Sequence, residues 1–405
     1  MILTRKKKRK DFNSLISSKT YFRNPFLKSL RFHQDGIVKL ISHPTVKNVI
    51  FTGSFDGEIC SWILNKEKCF FNFKAHEKSV RGLAIDHGGK FLLSCSEDST
   101  VKLWKIMENM KNPLKLYKSD TSLNSIAFNP LNSYFITTGK SITVWDFYSF
   151  FPIQQILQKE VSISCAKFNP LEHNILLSTA SDRSIMLYDL RIHSPVKKFF
   201  MEMRTNDITW FKTNPWEFTL ANEDSNLYTF DLRKINRAKK IYKGHVMAVQ
   251  SLDQDGKNGV IVSGSLDKTI RLHHQQSDLN LNILSSSRMS RVLCVAFSLD
   301  YNLILSGSED GNLRLWKKPE IRQIFDLNSI KSSSEKRIQF KDYRFTRFQE
   351  RFFLPKLILN IHKIKNKIST STYYKKMRIK EHVLPGTISL KEGFKKPIIN
   401  SNFEG

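Results

Sequence analysis

The sequence predicts an all-β fold: a seven-bladed β-propeller with a short basic N-terminal arm and a basic, partly helical C-terminal extension. Three observations carry that prediction. The first is a repeating unit. Ser306–Trp316 joins a small-residue step, an Asp, and an aromatic residue six positions later at the end of an alternating apolar run. The same spacing runs from Asp56 to Trp62, Asp98 to Trp104, Asp182 to Tyr188, Asp224 to Phe230 and Asp267 to His273, and a further copy sets Gly139 in the Asp place ahead of Trp145. The second is the period. The anchors at 56, 98, 139, 182, 224, 267 and 310 follow one another every 41 to 43 residues, the length of a four-stranded blade. The third is the partition of charge. The chain carries a net charge of +28, of which residues 1–32 hold +9 and residues 317–405 hold +13, leaving +6 for everything between. A nearly neutral packed ring therefore stands between two basic ends, with boundaries expected at 1–19 for the arm, 20–318 for the ring and 319–405 for the extension.

From the N-terminus, Arg5, Lys6, Lys7, Lys8, Arg9 and Lys10 form an unbroken cationic run, which self-repels and stays exposed. It is read as a nuclear import signal, an RNA contact, or both. Pro25–Phe32 turns apolar again and stands just before His33, as Cys69–Lys74 stands before Ala75-His76. It is an outer strand placed one repeat early, expected to pair with the strands after Arg291 and close the ring, removing the exposed edges that invite aggregation.

Blades one and two, about residues 33–115, match the repeat best. An acceptor in the tight turn of a blade can fix a His from the blade's start. That His can reach a strand Ser or Thr, which meets the terminal Trp. His33, Thr52, Asp56 and Trp62 make one such set, and His76, Ser94, Asp98 and Trp104 a second. Blade six has His245, Ser263 and Asp267 but ends in His273, and blade seven keeps Asp310 and Trp316. A buried polar chain of this kind is stable only when each member is paired. Blade three is degenerate, with no start His. His43-Pro44, Asn129-Pro130, Asn169-Pro170 and Asn214-Pro215 mark turns between first and second strands, where Pro cannot continue a ladder.

The recurring His, Ser and Asp argue against a hydrolase triad, because a catalytic site occurs once and a structural device recurs in each blade. With no Gly-rich phosphate loop, nucleophile elbow or metal-ligand spacing elsewhere, the sequence predicts no enzyme, no cofactor, no metal and no small-molecule substrate. No apolar run approaches the roughly 20 residues of a membrane span, and the N-terminus has charge where a signal peptide needs its apolar region. Cys60, Cys69, Cys95, Cys165 and Cys294, odd in number and scattered, read as reduced residues of a cytosolic or nuclear protein.

Blades four and five carry the most individual sequence. Each follows its terminal aromatic with Asp-x-Arg: Asp189-Leu190-Arg191 and Asp231-Leu232-Arg233. An Arg just beyond a blade strand sits on the rim, where it either caps a neighbouring turn or presents a cation to a partner.

Beyond Trp316 the repeats stop. From Glu335 aromatic residues interleave with cations that include Arg344, Arg347 and Arg351. A helix is expected to about Leu354, ended by Pro355, and a second from about Leu357 to Lys367, holding Lys363 and Lys365. Lys375 and Lys376 add to the same basic surface. Such helices can pack with one face and hold phosphates with the other, or be solvated helices that only pack. Charge concentrated outside a scaffold suits a polyanion, whose neutralisation releases counterions. The competing reading is that the excess serves solubility or follows a Lys-rich genome.

Several stretches together resemble the Sof-like WD-repeat proteins, factors of the small-subunit processome. They are Asn24-Pro25-Phe26-Leu27, Asp56-Gly57-Glu58-Ile59, Ala75-His76-Glu77 with Val80-Arg81-Gly82, Ser181-Asp182-Arg183, Met203-Arg204-Thr205-Asn206 and Ala221–Arg233. The resemblance spans about residues 20–365. It implies a non-enzymatic scaffold of the nucleus and nucleolus, bound to processome proteins, the U3 small nucleolar RNA and pre-rRNA during early steps toward 18S rRNA. Of the long, densely basic C-terminal helix typical of that family, only a remnant, Tyr373–Lys380, is present here, followed by an unrelated tail. Some members are described as substrate receptors of a cullin-4 RING ubiquitin ligase, engaged through Asp-x-Arg motifs; that role implies an adaptor bound at Asp189, Arg191, Asp231 and Arg233.

Overall fold

The computed structural model of the chain describes residues 25–318, with short interruptions at 67, 107–111, 132, 158–160, 193, 258, 276–279 and 287, and twelve positions between 360 and 382. The repeating apolar runs form seven four-stranded antiparallel sheets. In blade one the strands are Ile37–Ser42, Val49–Ser54, Glu58–Ile63 and Lys68–Lys74, and their order in the sheet follows the chain. The innermost strand of each blade touches that of the next, and the seventh touches the first, so the ring is closed. The joint is the early strand: Phe26–Arg31 pairs antiparallel with Asn312–Lys317 and supplies the outermost position of blade seven.

Each gap between blades is filled by apolar side chains from both neighbours. Phe51, Ile59 and Phe73 of blade one meet Val80, Leu83, Leu92 and Trp104 of blade two, with the Phe73 and Trp104 rings 4.6 Å apart. At the joint, Leu30 and Leu313 meet Ile37, Leu40 and Trp62. Cys60, Cys95 and Cys294 are free thiols buried in these layers, Cys165 is free and buried beside Asp207, and Cys69 is half-buried and also free.

The anchor Asp has a task that the repeat alone does not reveal. In blades two, four, five and six its Oδ1 accepts from the backbone N–H two residues on, from Thr100 at 2.9 Å, Ser184 at 3.0 Å, Asn226 at 2.9 Å and Thr269 at 2.9 Å. The residue between is left-handed in each, with φ near +65° at Ser99, Arg183, Ser225 and Lys268. Asp is favoured there because it bonds its own turn. Gly57 and Gly311 hold the equivalent left-handed place in blades one and seven. Gly57 must be Gly for a second reason: a Cβ would stand 2.2 Å from the His76 carbonyl of the next blade.

The turns between first and second strands link neighbouring blades. His43 Nε2 donates to the Gly89 carbonyl at 3.0 Å, Asn129 Nδ2 to His173 at 3.1 Å, and Asn169 Nδ2 to Pro215 at 2.8 Å. His43, Asn129 and Asn169, each just ahead of a proline, thus bridge to the following blade.

Of the extension, described residues between 360 and 378 are helical. The helix passes the expected end at Lys367 because neither Pro nor Gly occurs between Pro355 and Pro385. The helix expected to about Leu354 lies outside the described residues.

Candidate partner-binding rim

The buried polar sets and the rim are built from the same residue types, and their geometry separates them. In blade two, His76 Nδ1 lies 2.9 Å from Asp98 Oδ2, its Nε2 2.8 Å from Ser94 Oγ, and Trp104 Nε1 donates to the same Oγ at 3.0 Å. Blade six repeats the chain, with His245 Nδ1 3.0 Å from Asp267, Nε2 2.7 Å from Ser263, and His273 Nε2 3.2 Å from the Ser263 hydroxyl in place of an indole. Burial acts to raise the Asp98 and Asp267 carboxyls, but the histidines and threonines around them outweigh it and hold both far below the usual carboxylate range.

Blade one departs from the expectation. His33 Nε2 lies 2.7 Å from Thr52 Oγ1, which also accepts from Trp62 Nε1 at 2.8 Å, but Asp56 accepts from the Asp35 N–H at 2.9 Å and does not meet His33. His33 Nδ1 faces Cys60 Sγ at 3.7 Å instead. The cause is one residue of spacing: His33 stands 23 positions before its Asp, whereas His76 and His245 stand 22 before theirs. Without a carboxylate partner, burial pushes the His33 imidazole down to about 4. In blade seven, Trp316 Nε1 donates to Ser306 Oγ at 2.9 Å, and Arg314, not a His, engages Asp310. Two sets that repeat the same His–Asp and His–Ser bonds in separate blades, each around a buried His and Ser, act as braces.

The rim of blades four and five is different. The third strand of blade four, Ser184–Asp189, and that of blade five, Leu227–Asp231, both end on the Asp of an Asp-x-Arg. Asp189 Oδ1 accepts from the Arg191 N–H and Asp231 Oδ1 from the Arg233 N–H, each at 3.0 Å. Leu190 and Leu232 donate back to Asn174 and Trp216, at 3.0 and 2.9 Å. The two turns are thus superposable copies one blade apart. Each lays its exposed guanidinium on the residue that accepts the Leu bond. With the Asn174 amide turned so that its oxygen faces the guanidinium, it accepts from Arg191 Nε and Nη2 at 3.1 and 2.6 Å, and Arg233 stacks 4.6 Å above the Trp216 ring. The aspartates therefore cap their own turns, and both arginines stay exposed at the same place in adjacent blades.

Three segments match the model of the WD domain, G-beta repeat: residues 67–105, 236–274 and 280–317. Over 342 residues the chain is 35% identical to "Protein SOF1" of Saccharomyces cerevisiae, covering 78% of this chain and 69% of that protein. It is 31% identical to "DDB1- and CUL4-associated factor 13" of Xenopus tropicalis and 33% to the Homo sapiens protein of that name, each over 388 residues that cover 93% of this chain and 87% of the relative. The chain belongs to this SOF1 and DDB1- and CUL4-associated factor 13 family.

Arg5, Lys6, Lys7, Lys8, Arg9, Lys10, Arg344, Arg347, Arg351, Lys365 and Lys376 lie outside the described residues. Lys363 and Lys375 stand exposed on the C-terminal helix, with Ile361, Ile364 and Ile368 exposed beside them. At the ring's centre is a cavity of about 280 Å³, polar along much of its wall, with Lys39, Arg81, Asn124, Ser164 and Asn206 among its lining residues. Among the described residues, no cluster of three His, Cys, Asp or Glu could hold a metal ion, and no helix is long and apolar enough to cross a membrane.

Proposed function

We propose that the chain is a scaffold of ribosome biogenesis that works in the nucleolus as part of the small-subunit processome, with the U3 small nucleolar ribonucleoprotein on pre-18S rRNA. The ring binds processome proteins through its faces and rim, and the basic ends hold RNA. The observation that carries this reading is the partition of charge, +9 and +13 on the ends against +6 on the ring, in a chain that aligns with Protein SOF1 over most of its length. Its test is purification of the tagged chain from its own cells with sequencing of crosslinked RNA. Reads concentrated on U3 RNA and the 5′ part of the pre-rRNA are expected; an RNA-free preparation contradicts the reading.

A second reading makes the chain a substrate receptor of a cullin-4 ubiquitin ligase. It is favoured by the superposable settings of Arg191 and Arg233 and by relatives named for DDB1 and CUL4. Arg191→Ala combined with Arg233→Ala then removes the ligase adaptor from pull-downs, and an unchanged pull-down dismisses this role.

A further inference from the structure

We propose that the propeller itself carries a groove for the RNA sugar-phosphate backbone, between the outermost strand of blade four and the turn that follows the third strand of blade five. This deepens the scaffold reading and rests on it for the RNA, but it moves part of the contact from the basic ends onto the ring.

The groove holds about 380 Å³, and five of its eight lining residues are cations: Lys197, Lys198, Arg233, Lys234 and Arg237. No lining residue is acidic. Against a net of +6 for the whole span between the basic ends, this density is local and not an average property of the ring. Like charges gathered in a concave site repel one another, and a polyanion relieves that repulsion by releasing counterions.

Three of the cations, Lys197, Lys198 and Arg233, are also held in place, and the turn that carries Lys234 is closed by its own backbone. Lys197 Nζ donates to the Leu232 carbonyl at 3.4 Å, tying blade four to the blade-five turn. The Lys234 N–H donates to the Asp231 carbonyl at 3.0 Å, and Arg233 is stacked on Trp216. Lys198 Nζ sits 4.9 Å over the Phe200 ring, with Asp182 Oδ2 at 3.9 Å. That acid lies at the edge of ion-pair range and is outside the groove. Trp216 is 41% exposed, so a flat aromatic and a guanidinium plane adjoin the charges. Flat stacking surfaces beside cations favour a nucleic-acid strand, which brings bases as well as phosphates, over an acidic peptide, which brings only carboxylates.

The test uses the full chain and a single-stranded RNA of about 20 nucleotides, with binding followed by fluorescence anisotropy across a salt series. The triple variant Lys197→Glu, Lys198→Glu and Arg237→Glu is expected to weaken binding about tenfold or more at moderate salt, and to reduce the slope of log K against log salt by about two. Lys66→Glu, Lys68→Glu and Lys90→Glu make the same change of charge at exposed positions of blades one and two and are expected to change affinity less than about twofold. Should the charge reversal unfold the protein, the Gln versions of the groove triple remove charge without reversing it and must weaken binding in the same direction. Equal losses in both triples, an indifferent groove triple, or displacement of the RNA by polyglutamate as readily as by unlabelled RNA would each overturn the groove. Failure of the unaltered chain to bind RNA at all overturns the scaffold reading with it, so the two failures are distinct.

Discussion

Blades two and six each join a buried His and a buried Ser to the turn Asp, whereas blades four and five keep the turn Asp, have no histidine set, and carry their distinctive residues on the outside. The difference shows which part of the repeat is obligatory. Turn capping by the Asp occurs in all four blades, with a left-handed residue after it. The histidine brace is an addition made in only some blades. Blades four and five are held mainly by apolar packing, as in the cluster of Phe199, Phe218, Phe230 and Trp210 at their interface. Their rim leaves Arg191 and Arg233 exposed.

The strongest break of this comparison is Trp104→Ala. It removes the largest side chain from the layer between blades one and two together with one bond of the brace, and unfolding in denaturant should show a loss of about 3–5 kcal/mol. Acid is next. His33 is neutral in the fold until about pH 4, while in the unfolded chain it takes a proton near 6.5. Its contribution is complete above pH 6.5 and is lost as the pH falls toward 4, up to about 3 kcal/mol by linkage. Asp98 and Asp267, depressed in the fold, add a further loss below the ordinary carboxylate range. The His33→Gln variant should show a shallower decline of melting temperature between pH 6.5 and 4.5 than the unaltered chain; an identical decline would remove His33 as the cause. His76→Ala leaves Asp98 and Ser94 without their partner and should cost about 1–3 kcal/mol. The smallest effect belongs to the rim: Arg191→Ala with Arg233→Ala should change stability by less than about 0.5 kcal/mol, because both guanidinium groups are exposed.

Much of the fold was legible because the period is short, regular and anchored by aromatics. Even the closing strand could be read, since Pro25–Phe32 stands before His33 as the outer strand of blade one stands before His76. The blade sets were legible only in part. The 22-residue interval from His to Asp separates blades two and six from blade one, and it was present in the sequence unweighted. The left-handed position was announced by Gly57 and Gly311 but hidden at Ser99, Arg183, Ser225 and Lys268, where a side chain tolerates the strain once Asp fixes the turn. The bridges from His43, Asn129 and Asn169 depend on how adjacent blades are apposed, which no local pattern encodes. The basic groove was invisible for the same reason: Lys197 and Arg237 lie 40 residues apart and meet only because one blade's outer strand stands beside the next blade's turn.

We propose that the rim of blades four and five does the binding while interior polar residues brace the ring. The most direct test of this proposal is affinity purification of the tagged Arg191→Ala/Arg233→Ala chain from its own cells, scored against the unaltered chain for co-purifying protein, with the melting temperature of the same preparation. An unchanged melting temperature and the loss of at least one partner are expected. A full set of partners, or a fall in melting temperature as large as that of His76→Ala, would contradict it.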